Sequence, residues 1–191
     1  KWAIFKEACE KAWEPCKDYF NELESKKELN KSKKLNLLKE MDAFPVGKTA
    51  ESITVIQIVN FLKGIHDKWK LFSPVPDGDF QELNKSFRES RNQINQLLEE
   101  VEKFNRGKKE EIISEVESLS KDDIDTSVAR IRELQDIWRT LGPAGKKLDP
   151  QINENFSKVC DVLLKIKDKE LDESRGLMET IIKDLRDKAI T

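Results

Sequence analysis

The residue types that carry most protein chemistry are sparse in this chain. His66 is the sole histidine, so neither a histidine dyad nor a multi-histidine metal site can be assembled. The three cysteines, Cys9, Cys16 and Cys160, form no C-x-x-C pair. Zinc would need more thiolate or imidazole ligands than these, so no metal and no cofactor is expected. Cys9 and Cys160 each follow a phenylalanine, Phe5 and Phe156, by four residues. That recurrence fits a small apolar core side chain better than a reactive thiol. Cys16 has no such counterpart. Pro45-Val46-Gly47-Lys48-Thr49 contains a G-K-T, but a phosphate loop needs an earlier glycine where this chain has Asp42, and a strand leading into it. Nucleotide binding is not expected there. An enzyme would have to gather groups such as Asp136, Arg139 and Asp161 into one concave site. The expectation is a protein that is not an enzyme and has no small-molecule substrate.

Positive charge recurs more regularly than any catalytic set. Lys31, Lys33 and Lys34 find counterparts in Arg106, Lys108 and Lys109, and Arg175 stands at the corresponding place further on. Spaced along a helix, such groups could follow phosphates, so nucleic acid is the alternative partner. Against it, Glu99, Glu100, Glu102, Glu110 and Glu111 interleave with the bases, and Leu177-Met178 stands where the earlier copy has Lys108-Lys109. A solvated helix face with i,i+4 pairs explains the pattern better. A protein partner is therefore the leading expectation.

The elements that would hold these residues are helical. Hydrophobic residues make up 37% and charged residues 38%, too little core for a compact sphere but enough for a narrow stripe on stacked helices. The 35 basic and 37 acidic residues leave a net charge of -2, so no global field draws the chain to nucleic acid or an anionic membrane. No run approaches the roughly 20 apolar residues of a membrane helix, and no signal-peptide core is present. With unpatterned cysteines, this points to a reducing, cytoplasmic setting. Lys1 stands where an initiating Met would, so the chain reads as a segment of a longer protein.

An internal repeat is the strongest signal. Leu62-x-x-Ile65-x-Asp67-x-Trp69-Lys70-x-Phe72-Ser73-Pro74-Val75 is echoed by Ile131-x-x-Leu134-x-Asp136-x-Trp138-Arg139-x-Leu141-Gly142-Pro143-Ala144, in the same order and with the same gaps. At that one constant offset, Phe87 then maps to Phe156, Arg106-Gly107 to Arg175-Gly176, and Ile112-Ile113 to Ile181-Ile182. A partial copy opens the chain: Asn30-x-x-Lys33-Lys34-x-x-Leu37-Leu38 matches Asn105-x-x-Lys108-Lys109-x-x-Ile112-Ile113. It is seven residues longer after its Phe, because 30−5 is 25 whereas 105−87 is 18. Seven residues are two helical turns, which keeps an apolar face in register. A fixed period of this kind marks a stacked-repeat design. We divide the chain into 1–44, the end of a truncated first repeat, then 45–119 and 120–191.

Steps of three and four through Ile53, Ile56, Val59 or Ile58, Leu62, Ile65 and Trp69 predict a short helix over about Thr49–Trp69, capped by Thr49 or Ser52. Ser73-Pro74 ends it. A long helix follows over about 79–119, a second short one over 123–141 with Asp122 or Asp123 as cap, and a second long one over 150–188. The expected cores are Leu62, Ile65, Trp69, Phe87, Ile94, Leu97 and Ile112 in one unit, and Ile131, Leu134, Trp138, Phe156, Leu163, Ile166 and Ile181 in the next. Trp69, Phe87, Trp138 and Phe156 are their structural anchors. The charged middles, with Gly107 and Gly176, are expected to stay helical as solvated waists. The predicted fold is all-α: an elongated array of antiparallel helices, alternately short (about 20 residues) and long (about 40 residues).

The phrases Trp138-Arg139-x-Leu141-Gly142-Pro143 and Phe156-x-x-x-Cys160-Asp161 resemble the bacterial repeat family catalogued as domain of unknown function three-four-nine. Phe5-Lys6-Glu7-Ala8-Cys9 fits that family's middle element, and Tyr19-Phe20-Asn21-Glu22-Leu23 with Asn30-x-x-Lys33 its last. Ser73 in place of the usual Gly, and Asn92 where the next copy has Asp161, depart from the pattern. The resemblance implies a helical repeat and no chemistry. The function expected is a non-catalytic scaffold or protein-interaction segment of a bacterial cytoplasmic protein.

Overall fold

The computed structural model describes the backbone of residues 1–190 and the side chains of residues 1–186. Five helices account for most of them: α1 (Trp2–Ala43), α2 (Val55–Leu71), α3 (Asp77–Ser118), α4 (Ile124–Thr140) and α5 (Asp149–Ile190). No strand occurs among the described residues, and the fold is all-α. α1, α3 and α5 have 42 residues each, whereas α2 and α4 have 17. The alternation of short and long helices is the one the repeat predicts. α3 passes through Gly107 and α5 through Gly176 without interruption. A single glycine costs roughly 1 kcal/mol in a helix interior, which a long cooperative helix absorbs.

Local chemistry sets the ends. α2 starts at Val55, later than the predicted Thr49, because Thr54 forms a capping box with Gln57: each side chain accepts the other residue's backbone N–H. Thr49 and Ser52 close a turn of their own before it, through Thr49 N–H to Ser52 Oγ and Ser52 N–H to Thr49 O. In α4 the cap is Asp123, whose carboxylate accepts the Thr126 N–H.

The chain forms two compact units, Lys1–Val101 and Glu102–Thr191, divided inside α3. In the first, Leu37, Leu38 and Met41 of α1 pack with Ile58, Ile65 and Trp69 of α2 and with Leu83, Ile94, Leu97 and Val101 of α3. Lys31 meets Asp79 at 2.7 Å and Asp42 meets Ser90 at 2.5 Å. Between those contacts both partners advance by the same amount in the same direction (from 31 to 42 and from 79 to 90), so the end of α1 and the start of α3 run parallel. α2 returns antiparallel beside them. The second unit repeats the scheme with Ile112, Ile113 and Val116 of α3, Val128, Ile131 and Leu134 of α4, and Phe156, Cys160 and Leu163 of α5.

Each unit is thus half a long helix, a short helix, and half of the next long helix. This corrects several expectations. Ile112 belongs to the second core, because α3 gives its first half to one unit and its second half to the other. Ile181 is exposed, as are Leu177, Met178, Ile182 and Leu185, since no short helix among the described residues covers that half of α5. Of Ile56, Ile58 and Val59 on α2, only Ile58 is buried, while Ile56 and Val59 face solvent. Cys160 is buried, but its counterpart Cys9 is exposed on an uncovered stretch of α1.

Candidate functional site

Two of the recurrent basic positions, Lys34 and Lys109, lie at one end of each three-helix unit. There a long helix meets the last turn of a short helix and the proline loop that follows it. In the first unit Asn30 Nδ2 donates to the Pro74 carbonyl at 2.8 Å. One turn further along α1, the Lys34 ammonium lies 4.5 Å from the centre of the Trp69 ring. Trp69 also stacks on Phe87, with ring centres 4.4 Å apart, and donates its indole N–H to Asn84 Oδ1 at 3.3 Å. Asn30 and Lys34 are both buried, at 5% and 3% exposure.

The second unit uses the same parts. Asn105 Nδ2 donates to the Pro143 carbonyl at 3.0 Å, and the Lys109 ammonium lies 5.1 Å from the Trp138 ring centre. Trp138 stacks on Phe156 at 3.8 Å with the planes only 5° apart. Lys109 also meets Asp149 at 2.7 Å, and that carboxylate accepts the Ala144 N–H at 2.9 Å. Asp149 experiences burial that pushes its pKa up, but hydrogen bonds from Lys109 and Ala144 outweigh this and hold it below the usual aspartate range. A Cβ on Gly142 would lie 2.7 Å from Asn105 Nδ2, so in this unit the amide would have to shift to accommodate one.

The long-helix middles are therefore not solvated on every side, which corrects the expectation of solvated waists. Their asparagine and lysine face inward because a proline loop leaves a carbonyl without a helical partner and an aromatic ring with an open face. The chemistry is cohesive: an amide satisfies the carbonyl, and an ammonium sits against the indole. Of the other waist residues, Lys31 is paired with Asp79. That hydrogen bond raises its pKa above the ordinary lysine value. Lys33 stands 5.3 Å from the Phe72 ring, and Lys108 meets Glu111 at 2.9 Å. Arg106 is half-buried, and Arg175 lies exposed 3.9 Å from Asp172. The waists place Lys34 and Lys109 in the interior and scatter the rest.

Other candidates are not drawn together. Asp136 and Arg139 pair with each other on the exposed surface of α4, and Asp161 is exposed on α5. His66 is exposed beside an open groove that also involves Trp69, Asn84 and Arg91. Lys48 of the G-K-T folds back on the end of α1, donating to the Phe44 carbonyl and covering the Phe44 ring. Among the described residues, no group of three or more His, Cys, Asp or Glu side chains could hold a metal ion. None of the described helices is long and apolar enough to cross a membrane.

Two features lie beyond the reading of the sequence. Asn30 and Asn105 count there only as markers of the repeat, although an asparagine present in both copies at a similar distance from a proline loop is the signal of a carbonyl partner. The other is a replacement. In α5 the positions equivalent to Asn105 and Lys109, taken at the offset that relates Trp69 to Trp138, are Ser174 and Met178. The inward polar pair is missing from that second half.

No curated protein and no solved structure matches the chain. One family does, twice in succession, over residues 2–78 and 77–147. Each match takes a long helix and then a short one, so the same repetition is cut at the other junction from the division made above. With more than half of its length matched, the chain belongs to the family described as Domain of Unknown Function (DUF349).

Proposed function

We propose that this protein is a non-catalytic helical-repeat module that docks a protein partner on the second half of α5. The observation that carries the reading is a row of exposed apolar side chains there: Leu177, Met178, Ile181, Ile182 and Leu185. Their counterparts include Ile112, Ile113 and Val116, which are buried in the second unit. A contiguous apolar row on an otherwise heavily charged surface is the mark of an interaction site. Met178 and Leu177 strengthen that character by replacing lysines with flexible apolar chains. Nucleic acid ranks below a protein partner, because Lys34 and Lys109 are buried against indole rings and Lys31 is tied to Asp79.

The test is photocrosslinking in the native cells, with a benzophenone side chain at Met178 and, as control, at Lys165, an exposed position in the first half of the same helix. A discrete adduct at position 178, removed by protease and absent at 165, is the expected result. An adduct removed by nuclease, or no adduct at 178, would sink the proposal.

A further inference from the structure

Between the end of α2 and the start of α3, the first unit carries a groove of about 950 Å³. It is open to solvent, so it cannot enclose a small molecule as a binding pocket does. His66 lines one wall, and Lys85, Arg88 and Arg91 line the other. All four are exposed. Arg88 donates through Nε to the Asn84 carbonyl of its own helix at 3.3 Å, and neither arginine meets an acid among the described residues. Of the side chains that line the groove, only Glu82 is acidic. Phe80 adds an apolar side chain that is 55% exposed.

The second unit has the same helix segments but other side chains. At the offset that relates Trp69 to Trp138, His66 and Arg91 correspond to Gln135 and Cys160, Lys85 and Arg88 to Glu154 and Ser157, and Phe80 to Asp149. There the Gln135 side chain forms a hydrogen bond with the Cys160 thiol, and Cys160 is buried, so α4 and α5 meet. In the first unit the acid that pairs with the long helix is Asp79, which leaves Phe80 in the place of Asp149 and facing solvent. The groove therefore follows from the residues of α2 and α3 themselves.

We propose that this groove docks an acidic amphipathic helix of a protein partner, whose carboxylates meet Arg88 and Arg91 and whose apolar face covers Phe80. Charge complementarity selects an anionic occupant, because two guanidiniums stand there without an acid of their own. Arg88 and Arg91 are three residues apart and so neighbours on α3, within reach of carboxylates spaced three or four apart on a facing helix. The trough between two helices accepts the side-chain ridge of a third, and an apolar face fills it. A nucleic-acid strand suits the groove less well. It offers phosphates along its whole length, and these would meet Glu82 in the lining and Glu89, which stands 3.9 Å from Lys85. A protein helix can set a basic residue opposite each acid. This surface is separate from the row on α5, and the inference does not rest on the docking assigned there.

The test places a benzophenone side chain at Phe80 of the full chain in the native cells, with the same group at Ser157, the exposed counterpart of Arg88, as control. A protease-sensitive adduct at position 80 and none at 157 is expected. The crosslinked peptide, sequenced by mass spectrometry, should carry Asp or Glu at a spacing of three or four. That peptide is then synthesised, labelled and titrated with the full chain. Arg88→Gln with Arg91→Gln should weaken its binding about tenfold, as the loss of two exposed charge pairs would. Glutamine is a good helix former, so the loss reads charge and not folding. No adduct at 80, an adduct removed by nuclease, a crosslinked peptide without such acids, or an affinity unchanged by the paired substitution would each overturn the proposal.

Discussion

The two units close with the same asparagine, lysine, tryptophan and phenylalanine, yet they place the acid differently. In the second unit Asp149, the first residue of α5, reaches Lys109, the lysine over the indole. In the first unit Asp79 of α3 reaches Lys31 instead, one turn earlier on the long helix. Lys34 keeps its place over Trp69 with the Ser73 hydroxyl at 3.5 Å, and forms no ion pair among the described residues. Burial accordingly pushes the Lys34 ammonium below the ordinary lysine value. What the units share is the ammonium against the ring and the amide on the proline carbonyl. The ion pair is an addition that each makes at its own position.

That difference can be broken by removing the two lysines in turn. Lys109→Met leaves the Asp149 carboxylate, only 24% exposed, without its cation. Losing one member of a buried pair costs about 3–5 kcal/mol, and the residual solvent and other donors around Asp149 bring the expected cost down to about 2 kcal/mol. Lys34→Met removes a desolvated charge that leaves no acid behind, so its expected effect lies between neutral and a gain of about 1 kcal/mol. Urea unfolding followed by Trp138 in one background and Trp69 in another, with the remaining tryptophans changed to Phe, reads the units separately. Equal losses in both would mean that the cation on the ring, and not the ion pair, is what matters.

A smaller effect sharpens the comparison at the loops. Gly142→Ala puts a methyl 2.7 Å from Asn105 Nδ2, and the amide must shift against the Pro143 carbonyl. The loss of most of one hydrogen bond is worth about 1 kcal/mol. Ser73, at the equivalent position, already carries a Cβ, so Ser73→Ala should change the first unit by less than about 0.5 kcal/mol. The same two fluorescence readouts decide it. A loss at Ser73→Ala as large as at Gly142→Ala would show that the Ser73 hydroxyl, and not the amide, secures the first loop.

Much of this arrangement is legible in the sequence. Trp69 and Trp138 are each followed by a proline loop and then, at one and the same distance, by Phe87 and Phe156. That pattern reveals the repeat and its anchors. Periodicity yields the helices, because apolar residues at steps of three and four have only one regular explanation. It does not yield the frame of packing. Ile112 and Ile113 recur in the repeat as faithfully as Phe87, and nothing in that recurrence says that the two ends of one helix serve different cores. Nor can charge alone place Lys34 and Lys109. A lysine in a charged run reads as solvated, and only the proximity of an indole and a loop carbonyl turns it inward. The start of α2 is ambiguous for a local reason: three hydroxyl residues, Thr49, Ser52 and Thr54, could each cap, and only Thr54 has Gln57 three residues ahead to complete the box.

The smallest expected effect is a difference in how stability follows pH. Asp149 has a folded pKa below its ordinary value of 3.8. Its contribution is therefore fully present above 3.8 and is lost as pH falls through the lower folded value, because the unfolded chain binds the proton first. Asp149→Asn should flatten the acid limb of the second unit, read by Trp138, and leave that of the first unit unchanged. Lys34 works at the other end of the scale. Its folded pKa lies below 10.5, so the unfolded chain binds more protons in that interval and the first unit gains stability as pH rises through it. Lys31 opposes this only higher up: its pKa is raised, so its contribution holds below 10.5 and is lost as pH climbs through the folded value. Lys34→Met should remove the alkaline rise seen by Trp69 and leave the later fall. An alkaline rise that survives the substitution would mean that Lys34 is not the desolvated group, and that the two units differ in less than the placement of their acids implies.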